Sequence, residues 1–580
     1  HGPAGYGPAA GVMPPDAAQP GAVQRGAVPV GAVQAGSGAP GTAQPAPAQE
    51  AAVLELNASP GLRMHLSPAE GRPRDVAGAI IDRLYPPEAA VRIPIISVTG
   101  TNGKTTTVRM IAHVLGQAGL RVGLATTDGV YSGGRLVYAA DASGPLSAQM
   151  VLDDPGVEAA VLETARGGII RGGLGYDRAD IAVVTNITAD HLGADGVDDL
   201  DELIHVKALV AEEIRAGGTV VLNADDPAAA GLAQRPGVRS NDPDIRFFTL
   251  GEDNPVAERH KQAGGLCYEV RGGELVEIDG PEQRSLISLA ELPGAFGGRA
   301  AHLVANALAA VAACRAAGVS AKDIRRALAT FTPVEANPGR GNLYRAGDAP
   351  VIVDYGHNAA ALNATGAMIA SIWGAAPRPD PAPAWRTARP AEPPSRPAAV
   401  AAVTLPGDRR DDLLTETAEA IAAWFGAVVI YEDSDKRGRQ PGEMQQFISA
   451  ALRRVRPGIT CELADTPEQA LRTAVALAAG APTLFLYEKL TTAQAALAAI
   501  GAAPWPDAAV PLSGAAAPPG QPPGQPPAAA DTTLPDIKLP DLAATGGLLA
   551  AEAAAVLADA SADYEPLSEE TDTPSALPVE

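Results

Sequence analysis

From residue 93 onward, short runs of β-branched residues alternate with alanine-rich stretches of helical periodicity. This alternation is typical of a parallel sheet covered by helices, and it predicts an α/β fold. The predicted strands of the first sheet cover residues 93–98, 159–163, 181–185 and 219–223. Each strand ends where a polar motif begins. Because open α/β sheets bind ligands beyond the carboxyl ends of their strands, we expect these motifs to meet in one cleft.

A second α/β unit is predicted between residues 350 and 503, and one helix, 303–318, separates the two units. The predicted strands of the second unit cover residues 351–354, 399–405, 427–431 and 483–487. Glycine and proline concentrate in three stretches, and such stretches are typical of disorder. The predicted organisation is a disordered segment 1–50, a short segment 51–88, a central domain 89–335, a C-terminal domain 336–504 with a disordered insert near 374–397, and a disordered acidic tail 505–580.

The 580 residues carry a formal net charge of −23, which leaves no basic stripe to neutralise the phosphates of a nucleic acid. Cys267, Cys314 and Cys461 lack the spacing of a zinc site or a disulfide framework. No apolar run is long enough to cross a bilayer. The chain begins with His1 and has no signal segment, so we expect a cytoplasmic fragment without its front part. We also expect no nucleic-acid or membrane partner, and a homo-oligomer.

The stretch GTNGKTT lies at a predicted strand-to-helix turn, which is where a phosphate loop requires its glycines. Lys104 can reach the β and γ phosphates, and the hydroxyl of Thr105 or Thr106 can bind Mg²⁺. The alternative is an accidental glycine-rich turn. The predicted nucleotide-binding residues of the loop are Gly100, Thr101, Asn102, Gly103, Lys104, Thr105 and Thr106. The loop alone does not separate a hydrolase from a kinase or a ligase.

Polar residues also follow the next two predicted strands. Glu163 ends one strand, and the motif TNITADHLG after the other contains Asp190 and His191. A carboxylate and an imidazole at neighbouring strand ends suit Mg²⁺, which accepts few protein ligands. A lone histidine would more often be structural. Lys207 lies on the following predicted helix, where the alternative is a solvated lysine that pairs with Glu212 or Glu213.

Together these motifs resemble the Mur ligases, which phosphorylate a carboxylate with ATP and let an amine attack the acyl phosphate. The motifs are GTNGKTT, LETARGG, TNITADHLG, a lysine about sixteen residues later, LNADDP, NPGR and DYGHN. The resemblance implies a central P-loop domain with a parallel sheet and a Rossmann-like C-terminal domain. It also implies the following roles: Lys104, Glu163, His191 and Lys207 in catalysis, Thr105, Glu163 and His191 at Mg²⁺, Lys207 as an often carbamylated lysine, Asn306 at adenine, Arg340 at the hinge and Asp354 at the ribose.

More specific stretches, such as LPGDRRDD, EDSDKRGRQPGE and TTDGVY, resemble the family of cyanophycin synthetases. The resemblance implies that ATP and Mg²⁺ drive the addition of L-arginine to the aspartate side chains of a polymer primer. A guanidinium needs carboxylates, and the substrate's own carboxylates need arginines. Candidate substrate-binding residues are Asp408, Glu432, Asp433, Asp435 and Glu443 for the guanidinium, Arg409, Arg437 and Arg439 for carboxylates, and His357. The alternative for residues 432–439 is an exposed loop of mixed charge.

The segment before the phosphate loop resembles the exit of an ATP-grasp domain, in which Glu55 and Asn57 would bind magnesium. We therefore expect residues 51–88 to be the remnant of an aspartate-adding half that is otherwise missing. Two further readings stay open. One is another Mur-type ligase, for a peptidoglycan precursor or folylpolyglutamate, and the other is a noncatalytic nucleotide-binding scaffold.

Overall fold

The computed structural model describes residues 61–84, 92–374 and 399–510. The chain forms two compact units, residues 1–86 and 87–580. The described part of the first unit contains α1 (Arg63–Leu66) and α2 (Val76–Leu84). The predictions for residues 1–50, for Glu55 and Asn57, for most of the insert near 374–397 and for the tail beyond 510 lie outside the described residues.

The second unit contains a mixed sheet of eleven strands. Its strands are β1 (Ile95–Thr99), β2 (Val122–Thr126), β3 (Gly129–Ser132), β4 (Arg135–Tyr138), β5 (Ala159–Glu163), β6 (Ala179–Val184), β7 (Ile214–Asn223), β8 (Asp244–Thr249), β9 (Leu266–Arg271), β10 (Glu274–Asp279) and β11 (Glu282–Ser288). Their order is β11-β10-β9-β8-β7-β6-β1-β5-β2-β3-β4. The strands from β9 to β2 run parallel, and the pairs at both edges are antiparallel.

Helices cover both faces of this sheet, so its central strands are buried on both sides. The helices are α3 (Lys104–Gln117), α4 (Pro145–Leu152), α5 (Arg166–Gly172), α6 (Leu200–Glu212), α7 (Pro227–Gly231), α8 (Pro236–Arg239), α9 (Pro255–Gln262), α10 (Ala301–Ala316), α11 (Ala321–Leu328) and α12 (Pro333–Ala336). Along β6, Val183 packs in the core under α3 and α10, whereas Ala182 and Val184 pack in the core under α6. Burial of alternate residues on opposite faces explains the continuous apolar run of the sequence.

A second sheet of seven strands forms the C-terminal part of the same unit. Its strands are β12 (Asn342–Ala346), β13 (Ala349–Asp354), β14 (Val400–Val403), β15 (Ala427–Tyr431), β16 (Thr460–Ala464), β17 (Thr483–Leu486) and β18 (Ala503–Pro504), in the order β16-β15-β14-β17-β13-β12-β18. The helices are α13 (Ala359–Trp373), α14 (Asp411–Trp424), α15 (Glu443–Val455), α16 (Pro467–Ala478) and α17 (Leu490–Ala499). The strands from β16 to β13 are parallel. The α/β fold class is confirmed, with two parallel-rich sheets.

All eight predicted strands are present in the structure, within a few residues of their predicted ends. The helix predicted at 303–318 is α10. Over the described ranges, no helix is both long and apolar enough to cross a membrane. Cys267, Cys314 and Cys461 are free thiols in this structure.

Candidate active site

A cavity of about 500 Å³ lies where strand ends of the two sheets face each other. The first sheet contributes Gly100 after β1, Glu163 at the end of β5 and Asp190 after β6. The second sheet contributes Tyr355 after β13 and Glu488 after β17. The polar motifs that follow separate strands therefore do meet in one cleft.

The phosphate loop between β1 and α3 depends on two glycines with positive φ. Gly100 has φ of +148°, and a Cβ there would lie 2.0 Å from the Thr185 hydroxyl. Gly103 has φ of +87°, and a Cβ there would lie 2.1 Å from Oδ1 of Asn306. A side chain at either position is excluded by backbone strain and by contact. The Lys104 ammonium donates to the Thr101 carbonyl at 3.1 Å, so it lies along the loop.

Residues after β6 hold the loop from the side. The Asn102 N–H donates to Oδ1 of Asn186 at 2.9 Å, and the Asn102 carbonyl accepts from the Thr185 hydroxyl at 2.6 Å. The amide of Asn186 also donates to that carbonyl at 3.0 Å. These bonds satisfy the polar groups of Asn102 internally, which fixes the loop conformation before any ligand binds.

Glu163 is buried and accepts three hydrogen bonds. The Thr105 hydroxyl donates to its Oε2 at 2.9 Å, the Thr127 N–H donates to Oε2 at 3.0 Å, and the Thr127 hydroxyl donates to Oε1 at 2.9 Å. The carboxylate is thus oriented toward the start of α3. Glu163 and Thr105, both predicted at Mg²⁺, are neighbours in the structure.

Lys207 is 4% exposed, and its ammonium donates to the Gly100 carbonyl at 2.7 Å. Burial lowers the pKa of Lys207 well below its usual value, and the charge of Lys104 lowers it further. The alternative of a solvated lysine is therefore wrong. Glu212 instead pairs with Arg235 at 2.9 Å, and Glu213 pairs with Arg178 at 3.4 Å.

Asp190, His191 and His357 place one ligand atom each within 4.8 Å of one another. Arg409 already occupies this cluster: its Nε donates to Oδ1 of Asp190 at 3.3 Å and its Nη2 donates to Nε2 of His191 at 2.6 Å. Burial opposes ionisation of Asp190, but His357, His191 and Arg409 outweigh it and lower its pKa. Desolvation lowers the pKa of His191 to about 3, against the attraction of Asp190. His191 is therefore neutral near pH 7.

Asn358 joins the C-terminal sheet to the phosphate loop. Its amide donates to Oδ1 of Asn102 at 3.1 Å and to Oδ2 of Asp190 at 3.0 Å, and its Oδ1 accepts from Nδ2 of Asn102 at 3.2 Å. The same Oδ1 caps α13 by accepting from the Ala361 N–H at 3.0 Å. One buried side chain thus connects the loop, the strand end after β6 and the helix α13.

The residues predicted at the nucleotide base and ribose lie on both sides of the segment 337–341, where the resemblance implies a hinge. Asp354 accepts from the Gly341 N–H at 3.1 Å and from the Thr365 hydroxyl at 3.2 Å. The Arg340 guanidinium lies 4.3 Å from the centroid of the Tyr355 ring. Nδ1 of His302, Oδ1 of Asn337 and Nε of Arg340 are buried and have no hydrogen-bond partner among the described residues. Such atoms are suited to a polar ligand.

The predicted substrate-binding residues divide into two groups. Those that line the cavity are His357, Asp408, Arg409 and Arg437. Glu432, Asp433, Asp435, Arg439 and Glu443 are not among the lining residues. Three of these residues form ion pairs with neighbouring side chains: Glu432 pairs with Lys436 at 3.0 Å, and Arg439 pairs with Glu443 at 2.9 Å. The roles of both groups stay predictions.

Residues 98–314 match the family model described as the Mur ligase middle domain. Over 427 residues the chain is 40% identical to the cyanophycin synthetase of Trichormus variabilis. The aligned region covers 73% of this chain and 44% of the relative. It is 38% identical over 412 residues to that of Synechocystis sp., covering 71% of this chain and 44% of the relative. The predicted resemblance is thereby confirmed, and the chain spans less than half the length of these curated relatives.

A curated ligase of peptidoglycan-precursor type is similar at lower identity. The UDP-N-acetylmuramoyl-L-alanyl-D-glutamate--2,6-diaminopimelate ligase of Geobacillus thermodenitrificans is 32% identical over 299 residues, covering 48% of this chain and 55% of the relative. Among solved structures, the folylpolyglutamate synthase of Mycobacterium tuberculosis complexed with ADP and AMPPCP has a TM-score of 0.49 and 18% identity. That match covers 74% of this chain and 95% of the other.

Four residues in and beside this site were not singled out from the sequence: Thr127, Asn337, Asn358 and Glu488. Three of them lie in motifs that carry the resemblance, namely TTDGVY, NPGR and DYGHN, and Glu488 follows β17. Asn337 donates to the Thr106 hydroxyl at 3.0 Å. Position gave a further signal for Asn358 and Glu488, which lie just after the predicted strands 351–354 and 483–487. Thr127 and Asn337 do not adjoin a predicted strand.

Proposed function

We propose that this chain is an ATP-dependent amide ligase that adds L-arginine to an aspartate side chain of a polymer, through an acyl phosphate. One observation carries the proposal: Lys104 of the phosphate loop lines the same cavity as the charged residues Asp408 and Arg437 of the C-terminal sheet. A nucleotide and two charged substrates would therefore meet in one enclosed space. The similarity to curated cyanophycin synthetases supports this choice of substrates.

In the proposed reaction, an oxygen of the aspartate carboxylate attacks the γ-phosphorus of ATP, and ADP leaves. The α-amine of arginine then attacks the carbonyl carbon of the acyl phosphate, inorganic phosphate leaves, and the amine loses a proton as the amide forms. Lys104 and the loop amides would neutralise the charge of the transferred phosphoryl group. The cavity walls would hold the amine close to the activated carbonyl.

The residues present fit Mg²⁺. The Thr105 hydroxyl and the Glu163 carboxylate, 2.9 Å apart, are hard oxygen donors, and the neutral imidazole of His191 has a lone pair on Nε2. Bound there, the ion would neutralise phosphate charge. In this structure Nε2 of His191 accepts from Arg409, so Arg409 must move before His191 can serve as a ligand.

The proposal is tested by incubating the purified chain with ATP, Mg²⁺, L-arginine and a synthetic β-Asp-Arg primer. We expect ADP release that requires both arginine and primer, and a product heavier by one arginine residue in mass spectrometry. Arginine-independent turnover with a muropeptide or a folate would identify another Mur-type ligase. Binding of ADP without turnover on any of these substrates, while a full-length relative is active under the same conditions, would favour a noncatalytic scaffold.

A further inference from the structure

The guanidinium of Arg437 lies between two carboxylates of the cavity wall. Its Nη1 is 3.3 Å from Oδ2 of Asp408, and its Nη2 is 2.9 Å from Oε2 of Glu488. All three residues line the cavity that contains Lys104. Asp408 follows β14 and Glu488 follows β17, so two neighbouring parallel strands present their carboxylates to one cation.

This pair of carboxylates has the properties of a guanidinium site. A guanidinium is planar and has five N–H donors in a fixed fork, and it pairs best with carboxylates that approach its edges. The Glu488 side chain is only 11% exposed, whereas that of Asp408 is 45% exposed. Burial raises the pKa of Glu488 even though Arg437 opposes the shift. A carboxylate in this position is costly without a cation beside it.

We propose that Asp408 and Glu488 recognise the guanidinium of the incoming arginine, and that Arg437 occupies this site until the substrate replaces it. The inference rests on the proposed function, because it assigns the side-chain pocket of the same cavity. The side chain of Arg437 and the substrate carry the same chemical group, so the observed contacts show that a guanidinium fits between these two carboxylates.

The exchange has a physical reason. Without substrate, Glu488 would face the cavity as a nearly buried and unpaired charge, and Arg437 removes that cost. Arg437 is itself 28% exposed, and its contacts with Asp408 are 3.3 and 3.4 Å long. Partly exposed ion pairs of this kind contribute little net stability, so a second guanidinium can replace the first without unfolding the wall.

A competing assignment predicts a different result. If Arg437 binds the α-carboxylate of the substrate, replacing Arg437 would lower the affinity for arginine. The affinity for a guanidinium compound that has no carboxylate would stay the same. Agmatine is such a compound, since it is arginine without the α-carboxylate. Agmatine therefore separates the two assignments.

The experiment measures agmatine binding by isothermal titration calorimetry on the full chain in the presence of ADP and Mg²⁺. We expect Arg437→Met to bind agmatine about 10-fold more tightly than wild type, because the internal competitor is gone. We expect Glu488→Gln to bind it about 10-fold more weakly, since one charge-assisted pair is lost. Cadaverine, an amine of similar length without the guanidinium, should show a smaller change in both variants.

Arg472→Met is the matched control, because Arg472 pairs with Glu468 at 2.8 Å on the exposed face of α16 and lies outside the cavity lining. Arg437→Gln is a second variant in case Arg437→Met folds poorly. Agmatine affinity that is unchanged or lower in both Arg437 variants would overturn the inference. If the wild-type chain nevertheless shows arginine-dependent ADP release, the proposed function stands and only the pocket assignment fails.

Discussion

The phosphate loop and the loop of residues 432–442 between β15 and α15 both connect a strand to a helix at the same end of the molecule, yet different forces hold them. Asn102 is fixed by short neutral hydrogen bonds to Thr185 and Asn186. The other loop is fixed by ion pairs, such as Arg437 with Glu488 and Arg439 with Asp411. Neutral bonds to the backbone keep one geometry, whereas partly exposed ion pairs can be exchanged for charged ligands. The proposed nucleotide side of the cavity is therefore held in one geometry, whereas the proposed substrate side is held by contacts that a charged ligand can replace.

The comparison is tested most severely at Lys104. Lys104→Ala should lower ADP release by on the order of 10³-fold, because the preformed loop would lack the charge that meets the transferred phosphoryl group. Arginine-dependent ADP release is the measurement. Lys322→Ala, at an exposed position of α11, is the control and should behave as wild type. A Lys104→Ala variant that keeps more than about a tenth of the activity would refute this role.

Lys207 tests whether the geometry of the proposed nucleotide side lowers the stability of the fold. Lys207→Met keeps the length of the side chain but removes a buried amine that donates to the Gly100 carbonyl. We expect turnover to fall by on the order of 10²-fold. The free energy of unfolding should stay the same or increase, because an ammonium whose pKa burial lowers is destabilising near pH 7. Urea denaturation gives the second quantity, and a clearly lower midpoint for the variant would contradict it.

Asn358 connects the phosphate loop to the C-terminal sheet. Asn358→Ser keeps an oxygen that can cap α13 but is too short to reach Asn102 and Asp190, whereas Asn358→Ala loses both functions. Both variants should reduce kcat/KM for ATP by about 10-fold. Only the alanine variant should also lose about 1 kcal/mol of stability. If the serine variant used ATP as well as wild type does, Asn358 would act as a helix cap alone.

The smallest expected effect concerns pH and lies away from the cavity. Nε2 of His113 donates to the Ala327 carbonyl at 3.0 Å and lies 3.0 Å from the Thr330 hydroxyl oxygen. Burial lowers the pKa of His113 despite the bond to Ala327. Unfolding exposes the imidazole, which then binds a proton more readily. This contribution to stability is present above the pKa of the unfolded histidine, about 6.5, and is lost as the pH falls below it.

The melting temperature of the wild type should therefore fall by a few degrees between pH 8 and pH 5, in part because of His113. His113→Gln should make this dependence less steep, and differential scanning fluorimetry measures both curves. His205→Gln is the control, because His205 is exposed on α6. Parallel curves for His113→Gln and wild type would show that His113 contributes nothing to the pH dependence.

Features that depend on residues close together in the sequence could be predicted, and features that depend on contacts between distant residues could not. The central strands and the phosphate loop depend on local patterns, namely apolar runs and the glycines at 100 and 103. Ten of the eighteen described strands were not predicted. Exposure accounts for some of these, since β4 is exposed at all four residues and β11 over its first half, but β2 was missed although all five of its residues are buried. The contact between Asn102 and Asn358 joins residues 256 positions apart, and no local pattern indicates it. The same is true of Glu488 beside Arg437.

The contact between Gly103 and Asn306 has a consequence for protein engineering. Because the loop backbone lies against Oδ1 of Asn306 with no room for a methyl group, the loop and α10 form a single module. Residues 100–106 transplanted alone into another scaffold would arrive without the surfaces that shape them. A successful transplant has to include α10 together with Thr185 and Asn186.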